Sequence, residues 1–116
     1  MNDPHGGLRA AVFEILLLLC EEDRHGYGLM QEMATRSAGR WILGPGTMYR
    51  TLKEMREAGW IERSPAVARA GETDTRRRMY TITDRGRRVA ADEATRMSAL
   101  VERARDERLI PPAGAA

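Results

Sequence analysis

The side chains of this 116-residue chain that can do chemistry are cations, and they are gathered in its middle third. Arg50 and Lys53 fall on the polar side of the segment 47–58, where Met48, Leu52 and Met55 recur at i, i+4 and i+7. A helix with that pattern buries those three and turns Thr47, Arg50, Thr51, Lys53 and Glu54 toward water. Guanidinium and ammonium groups held on such a face donate to phosphate oxygens or to the acceptor edge of guanine. A second set, Arg69, Arg76, Arg77 and Arg78, lies in or beside a polar stretch between two short apolar runs, where a hairpin loop can follow a nucleic-acid backbone. The same surface would also suit a protein–protein interaction module meeting an acidic partner.

Composition narrows the classes. Residues 40–90 hold eleven Arg and one Lys against six acids, whereas residues 1–39 and 91–116 are each slightly acidic, so the net charge of +2 hides a basic centre. One Cys and two His cannot close a four-ligand zinc site or an internal disulfide. No ordering of Ser, His and Asp surrounds a nucleophile elbow, and no glycine loop leads into a Lys, so the chain does not read as an enzyme and needs no cofactor. The longest apolar run, Leu8 to Cys20, is broken by Arg9 and Glu14 and falls short of the roughly 18 residues a bilayer span takes. The expectation is a cytoplasmic protein without a cleaved leader or membrane partner.

These side chains must be positioned by elements that the hydrophobic period also sets. The expected divisions are an arm at 1–7, a helix-turn-helix with a wing at 8–83, a long helix at 84–108 and a tail at 109–116. Leu8, Val12, Ile15, Leu16 and Leu19 follow a helical stripe, while Phe13, Leu17, Leu18 and Cys20 fill the other side, so the first helix has two apolar faces. One face can cover a core; the second calls for another copy of the chain. A flexible join at His25–Gly28 leads to a second helix on which Tyr27, Met30, Met33 and Ala34 share a face, ending near Gly39. Trp41 and Ile42 read as core plugs in the link, Thr47 as the cap of the third helix and Gly59 as its stop. Trp60–Arg63 and Arg78–Ile82 read as a two-stranded hairpin. Thr83 or Asp84 then caps a helix to about Arg108, on which Ala90, Ala94, Met97, Val101 and Ala104 repeat at spacings of 4, 3, 4 and 3, a seam suited to pairing. The order is mainly α with a small β-hairpin: a winged helix-turn-helix followed by a dimerisation helix. The expected dimer interface takes Val12, Leu16 and Leu19 with the five seam residues.

Four runs in that order carry a resemblance. His25-Gly26-Tyr27-Gly28-Leu29, Gly46 to Leu52, Glu57-Ala58-Gly59-Trp60-Ile61 and Arg78 to Gly86 resemble the PadR family of bacterial transcriptional regulators, over roughly Leu8 to Arg108. The resemblance implies a two-fold dimer built from the first and last helices. It also implies repression through palindromic operator DNA, with release by a small-molecule effector such as a phenolic acid or a lipophilic drug. It puts Tyr27, Thr47, Tyr49 and Arg50 on the DNA, with Arg76–Arg78 on its backbone. The single C-terminal helix is similar to the short members, and Met48 and Trp60 stand where leucine is more usual. Outside these motifs, Cys20 reads as a small buried hydrophobe, His25 as a turn or cap residue, Trp41 and Trp60 as core, and Met30, Met33, Met48, Met55, Met79 and Met97 as packing.

Overall fold

A run as apolar as Ala10–Glu21 buries surface on whatever lies beside it, and the computed structural model, which describes residues 7–64, 78–112 and 114, builds the domain around that segment as helix α1. Val12, Ile15, Leu16, Leu18 and Leu19 are buried along it. Each such side chain stabilises the fold by about 1.5–3 kcal/mol relative to leaving it in water. Packed on it are α2 (Gly26–Arg36), α3 (Pro45–Glu57) and α4 (Asp84–Asp106). A sheet of β1 (Arg24–His25), β2 (Ile61–Arg63) and β3 (Met79–Ile82) completes the domain.

The sheet is antiparallel with β3 in the middle, so among the described residues it has three strands rather than the two of the expected hairpin. Arg24 pairs with Tyr80 and His25 with Met79, while Ile61, Glu62 and Arg63 face Ile82, Thr81 and Tyr80. The segment read as a flexible join is therefore tied down: His25 ends a strand and α2 starts at Gly26.

The far end of α3 is closed by a Schellman turn. Gly59 takes φ of +80°, Trp60 N–H donates to Met55 O at 3.0 Å and Gly59 N–H to Arg56 O at 3.0 Å. Thr83 then locks the start of α4 to this turn. Its hydroxyl donates to Gly59 O at 2.6 Å and accepts from Gly86 N–H at 3.1 Å, which makes Thr83 the cap the sequence offered. Gly86 lies so close to the turn that a Cβ there would sit 2.1 Å from Trp60 O. Hence α4 must leave the domain where it does.

Spanning 23 residues, about 35 Å at 1.5 Å per residue, α4 outreaches the body it starts from. Gly86, Ala90 and Glu93 are buried; beyond Glu93 the described residues are not. Glu93 grips Arg96 through both carboxylate oxygens at 2.8 and 2.6 Å and accepts the backbone N–H of Leu8, joining the chain's beginning to its last helix.

Several expectations fail for identifiable reasons. Val12, Leu16 and Leu19, expected at a dimer interface, are 0–2% exposed inside one chain, and Ala90 is 5% exposed, so these four belong to the domain's own core. Cys20 is exposed instead of buried, because α1 spends its apolar contacts on the opposite face. Ile42 is 78% exposed and plugs nothing, whereas Trp41, half-buried, does pack on the core.

Candidate nucleic-acid interface

Helix α3 carries most of the residues singled out in the sequence. It begins one turn earlier than a Thr47 cap would allow: Gly44 is the N-cap, Pro45 the first helical residue, and no side chain caps the end. Proline suits that position because its missing N–H would have had no partner. Thr47 consequently lies within the first turn, exposed, and the N–H groups of Gly46 and Thr47 precede the first helical bond, from Met48 to Gly44 O at 3.0 Å. Together with the helix dipole they favour an anion at this end.

Met48, Leu52 and Met55 are buried, as their spacing requires, and they fix the rotation of the helix. That rotation leaves Arg50 and Lys53 exposed. Among the described residues Arg50 has no hydrogen-bond or ion-pair partner, and Lys53 reaches Glu57 alone, at 4.0 Å, with both side chains largely in water. Thr51 differs from its expected outward position. It is 3% exposed and its hydroxyl donates to Thr47 O at 2.8 Å, satisfied within the helix. Glu54 accepts from Arg9 at 3.4 Å across to the start of α1.

The two tyrosines play unequal parts. Tyr27, in the first turn of α2, is 54% exposed. Tyr49 is half-buried and its ring lies on Gly26, where an added Cβ would come within 2.7 Å of Cε1. Glycine at 26 thus lets α3 approach the start of α2, and Tyr49 sets the spacing of the two helices.

On the sheet side, Arg78 is half-buried beside β3; Arg69, Arg76 and Arg77 lie outside the described residues. Sequence reasoning missed Arg56 and Arg63. Both are exposed, and neither has a carboxylate partner among the described residues. The Arg63 guanidinium is held below its ordinary pKa by partial desolvation and then by the positive charges of Arg56 and Arg78. The signal was present, since Arg50, Lys53 and Arg56 are spaced by three and run along one helical face, but Arg63 joins them only through the fold.

A helix-turn-helix whose second helix is anchored by three buried side chains, cationic on its outer face and flanked by an antiparallel sheet, defines the winged-helix class of DNA-binding regulators. Residues 15–92 match the model of the transcriptional regulator PadR-like family, more than half of the chain, and the protein belongs to that family. Among solved structures the fold is similar to that of a transcriptional regulator from Clostridium thermocellum, at 21% identity and a TM-score of 0.67, covering 84% of this chain and 87% of that one. A protein from Thermoplasma acidophilum aligns with 27% identity and a TM-score of 0.62 over 88% and 93% of the two chains. Bacillus subtilis PadR, solved in complex with operator DNA, aligns with 24% identity and a TM-score of 0.58 over 72% of this chain but only 46% of its own length. No curated protein sequence matches the chain. Among the described residues no helix is long and apolar enough to cross a membrane, and no His, Cys, Asp and Glu group could hold a metal ion.

Proposed function

We propose that the protein is a homodimeric repressor of transcription that acts in the cytoplasm. Each copy lays α3 in the major groove of one half of a palindromic operator, with Thr47 and Arg50 nearest the bases. Lys53, Tyr27 and the arginines beside the sheet, Arg63 and Arg78, face phosphates, and the run Arg76–Arg78 expected from sequence serves the same backbone; Tyr49 sets the angle of the reading helix. A small-molecule effector releases the complex. The observation that carries the reading is the outer face of α3, exposed and cationic while its inner face is fully buried.

Pairing is supported by apolar surface that one chain leaves wet. Leu17 on α1 is 41% exposed, next to half-buried Phe13 and exposed Cys20 at i−4 and i+3. On α4, Met97, Leu100 and Val101 are 40–45% exposed, with Ala94 and Ala104 on the same projecting part. Two copies covering these stripes would hide area that a single chain of 13.0 kDa cannot. Leu17 and Leu100 take the places that Val12, Leu16, Leu19 and Ala90 vacate in the interface expected from sequence.

Selection of bound fragments from genomic DNA, followed by anisotropy titration of the recovered duplex, tests the reading. A single palindromic fragment bound well above random DNA, by a species of about twice the chain mass, is the expected outcome. Equal retention of random and selected DNA, or of wild type and Arg50→Ala, would refute it.

A further inference from the structure

A groove of about 470 Å3 lies between α2 and α3 on the side of the domain that carries Tyr27. Met30 and Ala34 of α2 line it together with Ile42 and Leu43 of the link, and Tyr27 and Tyr49 both reach it. Gln31 supplies the one side-chain amide, and no charged residue takes part. Ile42 and Tyr27 are 78% and 54% exposed, so large apolar side chains stand in water around an opening of ligand size. The Gln31 amide and the Tyr27 hydroxyl make no hydrogen bond among the described residues, which leaves two polar groups at the edge of an apolar lining.

We propose that this groove binds a neutral aromatic small molecule carrying one hydrogen-bonding group, and that its occupancy excludes duplex DNA from the α2–α3 face. Phosphates do not suit the groove, because it offers them no cation. A flat, uncharged ring can bury itself against Met30, Ala34 and Leu43 while its polar atom meets Gln31 or Tyr27. The groove is continuous with the proposed DNA surface through those same tyrosines. The Tyr27 ring cannot both stack on such a ligand and lie along a sugar-phosphate strand, and a guest beside Tyr49 bears on the residue that spaces α3 from α2. Only the second half of the proposal rests on the DNA-binding reading; ligand capture stands on the groove alone.

N-phenyl-1-naphthylamine, neutral, aromatic and bearing a single N–H, is a suitable probe because its fluorescence rises on leaving water. Titrated into the full chain, it should bind saturably. Ala34→Trp, which fills the groove, should weaken binding by about tenfold or more. Ile42→Ser strips apolar lining at a site so exposed that folding is indifferent to it, and should weaken binding several-fold. Saturating probe should raise the apparent Kd for DNA in the wild type and add no further change in Ala34→Trp, whose own side chain already occupies the groove, while Ile42→Ser binds DNA normally without probe. Probe that binds both variants as well as wild type sits elsewhere and overturns the proposal, as does absence of saturable binding. Probe that binds the groove while DNA affinity stays constant overturns the competition. A chain that captures the probe in the groove yet binds no DNA would instead sink the DNA-binding reading and keep the ligand site.

Discussion

Arginines at two corners of this molecule live in opposite circumstances. Where α1 meets α2, Arg36 forks onto Glu21 at 2.6 and 2.7 Å and reaches Glu32 at 2.9 Å. Arg24 contacts Glu21 at 3.0 Å, Glu22 at 3.6 Å and the Leu18 carbonyl at 3.3 Å. On the face formed by α3 and the sheet, Arg50, Arg56 and Arg63 have no carboxylate partner among the described residues, and Arg63 feels its like-charged neighbours. Residue type is identical; the supply of acids within reach differs. Saturated arginines fasten elements to one another and project little field, whereas unsaturated ones keep their donors and their charge for a phosphate.

The largest effect should come from separating the copies that place two such faces side by side. Met97→Glu puts charge on the wet stripe of α4; the sedimenting mass should halve and operator affinity should fall by about a hundredfold or more, since the second half-site no longer benefits from the first. A stable dimer in this variant would remove α4 from the interface. Next comes the direct contrast. Arg50→Ala should lose about 1–3 kcal/mol of operator binding with no change in Tm, while Arg36→Ala should lower Tm and leave DNA binding intact. Equal losses of DNA affinity in the two would erase the distinction between paired and unpaired arginines.

A smaller effect concerns Arg63, whose replacement by Ala should weaken all DNA sequences alike and reduce the slope of log K against log salt by about one. An unchanged slope would place it off the backbone. The least effect is on acid stability. Hydrogen bonds from Arg36 and Arg96 hold the Glu21 and Glu93 carboxyls below their ordinary pKa, against some desolvation that works the other way. Unfolded Glu titrates at about 4.3, so this contribution is complete above that pH and disappears as pH drops through the lower folded values. Melting curves between pH 5 and 2 should therefore fall less steeply for Glu21→Gln than for the wild type, and parallel curves would show that the pair adds no pH dependence.

Long periodic segments are legible in the order of residues alone. The anchors Met48, Leu52 and Met55, the stop at Gly59 and the Thr83 cap depend on neighbours within one turn, and the fold keeps them all. What misleads is chemistry of mixed character. Thr51 lies three residues from Met48 and four from Met55, on the buried side, but its hydroxyl disguises it as an outward group. β1 is two residues long and exists because β3, more than fifty residues later, pairs with it. On α1 both faces are apolar, so periodicity has no means of choosing the buried one; packing against α4 and the sheet chooses Val12, Leu16 and Leu19 and leaves Leu17 and Cys20 wet.

By itself the chain's order of residues determined which segments coil, where they stop, and that the cations concentrate in its middle, because each of those outcomes is decided by interactions a few positions apart. Only the tertiary arrangement decided which side of α1 is core, that Arg63 joins the α3 cations, and that α2 and its link enclose a groove against Tyr49. Those relations depend on distances between residues far apart along the chain, and such distances come into being when the apolar faces find each other.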